Sequence, residues 1–139
     1  VARVKRVVLL GHIPSEEVKE SLKTLLGNDI TIVAYNFHVD QMQNLHKAIV
    51  GLVMNLEALC GLQGADEIIM CPPGLSSAAF LLSDAIRGLT GKPPKLLNMT
   101  KASGGGNRYL PCPEAPIIDN DRLFSYMRKK RTLGVLYTG

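Results

Sequence analysis

Four short apolar runs, each closed by turn-forming residues and followed by a stretch of helical periodicity, constrain this chain more than any other feature. Val4–Gly11 (VKRVVLLG) is β-branched and stops at glycine. Ile30–Tyr35 (ITIVAY), Ala65–Cys71 (ADEIIMC) and Lys95–Met99 (KLLNM) repeat the theme. Runs of this length and composition read as buried strands. Between them, Val18, Leu22, Leu25 and Leu26 recur at helical spacing after Pro14-Ser15-Glu16-Glu17, whose acids suit a first helical turn. Met42, Leu45, Ile49, Leu52, Leu56 and Leu59 predict a longer helix from about Asp40 to Cys60, roughly 30 Å in length. Asp40 is its expected N-cap. Its broad stripe favours packing on a sheet, with a dimer seam at one end as the alternative. Leu75, Ala78, Ala79, Leu82, Ala85, Ile86 and Leu89 predict a third helix, opened by Pro72-Pro73-Gly74 and closed by Gly91 and Pro93-Pro94.

Strand and helix alternating in this way imply right-handed crossovers and a mostly parallel α/β sheet with helices on both faces. A chain of 139 residues suits one such domain, assigned to residues 1–131. It buries enough surface to fold without disulfides or a metal. The segment from Glu114 to Asp119 reads as a last strand, kept to an edge by Pro116. Thr100–Arg108 (TKASGGGNR) reads as a mobile loop. Asp121–Arg131 (DRLFSYMRKKR) reads as a basic helix or arm, and residues 132–139 as a tail or extra edge strand.

Ligands of open parallel sheets sit beyond the carboxyl ends of the strands. Four loops are expected there, and they supply the candidate site. Gly11 and His12 follow the first strand; Asn36, Phe37 and His38 follow the second. Pro73, Gly74, Leu75, Ser76 and Ser77 follow the third, and Thr100 and Lys101 the fourth. Glycines allow close backbone approach, a helix opening at Ser76-Ser77 favours an anion, and Lys101 adds positive charge. Each feature also has a purely structural reading: Pro-Pro-Gly as a turn, Ser76-Ser77 as caps, the clustered cations as a solvated face. His12 and His38 are candidate ligand contacts or general bases, and His46 a structural residue. Gly104-Gly105-Gly106 lacks dinucleotide-loop spacing.

The net charge of +4 is clustered near both ends and in the third quarter, which favours an anionic partner. Three cysteines without a C-x-x-C pair suggest neither a disulfide framework nor a zinc site, so no metal or cofactor is expected. No apolar stretch has the length of a membrane span, no signal peptide is visible, and the expected location is the cytoplasm. No hydrolase, zinc-protease or Walker motif is present.

Four stretches taken together resemble a known group. They are VVLLGHIPSEEV, the strand running through YNFHVD into a long helix, IIMCPPGLSSAAFLLSDAIRGLTGKPPKLLNM, and APIIDNDRLFSYMRKKR. In this order they resemble the small stand-alone Csx-type proteins of type III CRISPR systems. Those are Rossmann-like relatives of the CARF domain that recognise cyclic oligoadenylate. The resemblance implies a Rossmann-like, CARF-like fold and a homodimer, or a higher assembly, with a cyclic oligoadenylate across its two-fold axis. The implied ligand is most simply cyclic tetra-adenylate, sequestered or slowly cleaved. Cleavage in such ring nucleases needs no metal, because a ribose 2′-OH is the internal nucleophile and the protein positions it. Without an acid–base pair in the sequence, binding is the preferred reading. Neither a membrane nor DNA is an expected partner. The alternatives are a small Rossmann-like nucleotide hydrolase or transferase using His12, His38 and Ser76, and a nucleic-acid-binding module built on the basic C-terminal arm.

Overall fold

Strand β1 (Lys5–Leu9) carries the fold, because it pairs along its whole length on both sides. The computed structural model describes residues 4–11, 14–37, 44–104 and 108–138. Helix α1 (Glu16–Leu26) leads to β2 (Ile30–Ala34), α2 (Leu45–Cys60) to β3 (Glu67–Cys71), and α3 (Ser76–Thr90) to β4 (Lys95–Leu97). There follow β5 (Met99–Lys101), β6 (Tyr109–Pro111), β7 (Ile117–Ile118) and α4 (Asn120–Thr138). The main sheet has the order β2-β1-β3-β4-β7, with β7 alone antiparallel. The expected α/β class and mostly parallel sheet are therefore observed.

Period-two alternation divides the core between the two faces of the sheet. Val8, Leu10, Ile68 and Met70 meet Ile49, Leu52, Val53 and Leu56 of α2 and Ala78, Leu82 and Ile86 of α3. Val7, Leu9, Ile69, Cys71 and Leu97 meet Val18 and Leu22 of α1. No charged or polar side chain is buried among the described residues. Burial of each large aliphatic side chain stabilises the domain by roughly 1.5–3 kcal/mol.

Helix ends follow local chemistry. The Ser15 hydroxyl accepts from the Val18 N–H, and Glu16 and Glu17 complete the first turn of α1. The Asn44 side chain caps α2 by accepting from the Lys47 N–H. Asp40, the expected cap, lies outside the described residues. Helix α3 starts from Leu75, which offers no side-chain acceptor, so Ser76 and Ser77 are not its caps. Gly91 ends α3 at φ +81°, a left-handed conformation that glycine adopts without steric cost.

Three expectations need correction. The fourth strand does not run to Met99. It stops at Leu97, because the chain changes partner at Asn98: the Asn98 N–H still donates to the Pro116 carbonyl beside β7, but its carbonyl accepts from the Cys112 N–H, and Met99 onward pairs with β6. The Thr100–Arg108 loop is instead largely a β-hairpin. Met99–Lys101 pairs antiparallel with Tyr109–Pro111, and the Ala102 N–H donates to the Arg108 carbonyl. Three consecutive glycines read as a loop in isolation, but here they fall in the connection between paired strands; Gly105, Gly106 and Asn107 lie outside the described residues. Residues 132–138 do not form the extra edge strand, since α4 continues through them to Thr138.

Two substitutions test this packing. Leu56→Ala removes a fully buried side chain and should cost about 2–5 kcal/mol in urea unfolding, whereas exposed Leu59→Ala should fall within about 0.5 kcal/mol. Gly11→Ala would place a Cβ 2.9 Å from the Pro72 carbonyl oxygen, in rigid backbone. It should lower stability by about 1–3 kcal/mol by the same measurement.

Candidate functional site

The ladder continues one step beyond the strands and gathers three loops at one rim. The Leu10 N–H donates to the Cys71 carbonyl at 3.0 Å, and the Tyr35 N–H to the Leu9 carbonyl at 3.0 Å. These bonds bring the residues after β1, β2 and β3 side by side. The close approach of Gly11 to Pro72 gives that glycine a structural role in joining two of the loops.

Two cavities open at this rim and share Leu10, Gly11 and Asn36. The larger is about 660 Å³. Its apolar lining includes Leu9, Val18, Ala34, Cys71 and Met99, and its polar lining Ser15, Tyr35, Asn36, Arg108 and Tyr109. The smaller, about 270 Å³, lies against Phe37, Pro73, Gly74, Leu75 and Ala78, where α3 begins. The structure thus brings Gly11, Asn36, Phe37, Pro73, Gly74 and Leu75 together. Ser76, Ser77, Thr100 and Lys101 do not line either cavity. His12 and His38 lie outside the described residues. His46 is exposed on the first turn of α2.

The cation at the cavity is Arg108, from the hairpin, and not Lys101. Its guanidinium forms a two-point pair with Glu17 of α1, with Nε donating to Oε2 at 2.8 Å and Nη2 to Oε1. This hydrogen-bonded pairing holds the Glu17 carboxyl below its ordinary range. Arg108 therefore brings its own counter-ion to the rim. Sequence reasoning missed Arg108, Tyr109, Pro14 and Ser15, since their approach to β1 depends on the hairpin and on α1 docking on the same sheet face. The signal available was the TKASGGGNRYLP stretch itself, with an apolar or aromatic residue on either side of its glycines.

The two helix N-termini at the rim differ. That of α1 is occupied by the Ser15 hydroxyl and faces the carboxylates of Glu16 and Glu17, which repel an anion. That of α3 has no side-chain cap and no acid in its first turn. Its amides and dipole favour negative charge at the smaller cavity. Nucleophilic chemistry is poorly served. Burial pushes the Cys71 thiol up, partly offset by the Gly11 N–H, so it stays protonated near neutral pH. The Ser15 hydroxyl is engaged in its cap. Among the described residues no cluster of His, Cys, Asp or Glu could hold a metal ion.

The Glu17–Arg108 pair sets a pH dependence. A carboxyl held below its usual value stabilises the fold above that value and loses the contribution as pH falls through the lowered one. Thermal unfolding between about pH 3 and pH 6 should show wild type losing its advantage over Glu17→Gln at the acid end. A constant difference across that range would contradict the pairing. No protein-family model, curated protein or solved structure matches the chain.

Proposed function

We propose that the rim binds a nucleotide-class polyanion, and that the ligand is a cyclic oligoadenylate, most simply cyclic tetra-adenylate. The observation that carries this reading is the pair of adjoining cavities over Gly11 and Asn36. One has an apolar lining bordered by polar side chains and an arginine, which suits a flat base. The other meets an uncapped helix N-terminus, which suits a phosphate. A base and its phosphate can occupy them side by side. The four-part sequence resemblance to Csx-type, CARF-related proteins supports the choice of a cyclic oligoadenylate within that class. It also supports a cytoplasmic role in type III CRISPR signalling.

A ring with two-fold pseudo-symmetry calls for two rims, so the binding unit is a homodimer. Binding with sequestration is the activity proposed, because the described rim residues offer a protonated, buried thiol and a helix-capping serine rather than a nucleophile and its base. Any cleavage would rest on the ligand's own ribose hydroxyl, held in line by the protein.

Isothermal titration of the purified chain with cyclic tetra-adenylate tests this. Binding in the micromolar range or tighter is expected, at one ring per two chains. Asn36→Ala and Arg108→Ala should each weaken it by about tenfold, the scale of one lost hydrogen bond to a charged group. No heat and no native-gel shift at micromolar ligand would reject the reading. Turnover of linear nucleotides instead would favour the hydrolase alternative.

A further inference from the structure

We infer that Glu17 sets the ligand selectivity of the rim: its carboxylate occupies Arg108 in place of the ligand, and a phosphate group takes that place by exchange. The inference rests on the nucleotide reading above and names the residue that decides, within it, between phosphorylated and neutral ligands. Among the described residues that line the two cavities, Arg108 is the only charged one. Its Nε donates to Glu17 Oε2 at 2.8 Å and its Nη2 to Oε1, so one edge of the guanidinium is taken by a carboxylate. Carboxylate and phosphate oxygens are alternative acceptors for that same planar fork. Glu17 does not itself line the larger cavity; it reaches the guanidinium from the first turn of α1. The cation that a phosphate needs is thus present at the cavity but engaged.

Breaking the pair costs little. The Arg108 and Glu17 side chains are 50% and 47% exposed, and ion pairs in such surroundings are weak. Exchange leaves the hairpin intact, because the Ala102 N–H holds the Arg108 carbonyl at 2.8 Å and only the side chain has to swing. A released Glu17 stays in the first turn of α1, where water and the helix dipole favour a carboxylate. Its neighbours on α1 have other partners: the Lys19 ammonium lies 3.4 Å from Glu16 and that of Lys23 3.7 Å from Glu20. Glu17 is therefore the acid that competes for Arg108. An anion added at the other edge of the guanidinium would share one positive charge with the Glu17 carboxylate, a repulsion that exchange avoids.

Selectivity follows from the exchange. A neutral nucleoside whose base fills the apolar lining takes nothing from Arg108 and is indifferent to Glu17. A phosphorylated ligand gains the guanidinium only by releasing the carboxylate, so part of its advantage is lost. Replacing Glu17 by an uncharged acceptor of the same shape removes that competition and widens the gap between phosphorylated and neutral ligands. Damage to the fold would weaken binding, so a gain in affinity confined to phosphorylated ligands is not a structural side effect.

Titration of the full chain with adenosine, adenosine 5′-monophosphate and cyclic tetra-adenylate, at one fixed salt concentration, tests the inference. Glu17→Gln should bind both phosphorylated ligands about tenfold more tightly than wild type, the scale of one hydrogen bond to a charged group. Its affinity for adenosine should stay within about twofold. In an Arg108→Ala background the same substitution should change binding of the monophosphate by no more than about twofold, since the exposed carboxylate then acts only through screened charge. Unchanged or weaker binding of the phosphorylated ligands by Glu17→Gln overturns the inference and makes Glu17 a residue that positions Arg108. An equal gain for adenosine overturns it, as does a gain that survives Arg108→Ala. If cyclic tetra-adenylate is not bound but the monophosphate shows the expected pattern, the inference stands and the choice of a cyclic oligoadenylate falls. If wild type binds cyclic tetra-adenylate and Glu17→Gln binds it no better, the proposed ligand stands and the inference falls. Binding of none of these ligands by any variant rejects both.

Discussion

Parallel pairing of β1 with both β2 and β3 is the interaction on which the rest of the structure depends. The register Lys5–Leu9 against Ile30–Ala34 on one side and Glu67–Cys71 on the other aligns three carboxyl ends at one level. A slip by one residue would send Val7 and Leu9 to the α2 and α3 face and expose the α1 face to polar side chains. Two hydrogen bonds beyond the strands, from Leu10 and from Tyr35, carry that alignment into the loops. The amino ends are tied as well. The Val4 N–H donates to the Asp66 carboxylate at 2.7 Å, and the Arg6 Nε to the Cys60 carbonyl at 2.6 Å. The Lys95 ammonium meets Glu67 at 2.7 Å in a half-buried pair between neighbouring strands. These bonds hold together an edge whose side chains are less apolar than those in the middle of the strands.

The rim gets its chemistry from elements that arrive from both faces. Helix α3 and the loop after β3 come from the side of the larger helical layer, and α1 and the hairpin from the other. Helix α1 packs against β6, which brings Glu17 to Arg108 across ninety-one residues of sequence. Because both partners of that pair are about half exposed, its worth to stability is small. Its larger consequence is electrostatic. It offsets the guanidinium at the larger cavity, so the attraction for an anion rests on α3's open N-terminus and on whatever frees Arg108.

Opposite ends of the strands thus carry different surfaces. Beyond the carboxyl ends lie apolar-lined cavities with backbone amides and, among the described residues, one paired cation. Beyond the amino ends lie acids at Asp66, Glu67, Asp119 and Asp121, from which a cationic helix departs.

Strand and helix order were legible because each depends on local spacing. Period two in VVLL and IIMC, and the three-to-four spacing in α2 and α3, place side chains on a face whatever the rest of the chain does. The loops that meet at the rim followed from the same alternation, since parallel strands joined by helices must end together. Asn36, Phe37, Pro73, Gly74 and Leu75 were found in that way. Tertiary structure alone decided the rest. The chain changes partner at Asn98, whose N–H still meets the Pro116 carbonyl beside β7 while its carbonyl accepts from the Cys112 N–H, and a glycine-rich stretch becomes a hairpin because Met99 and Leu110 find cover beside α1. Arg108 becomes the cation of the cavity, in place of Lys101, through a partner ninety-one residues away. Periodicity reports which side of an element is apolar. Which distant segment arrives to cover that side, and which charge it carries along, depends on contacts that no local pattern encodes.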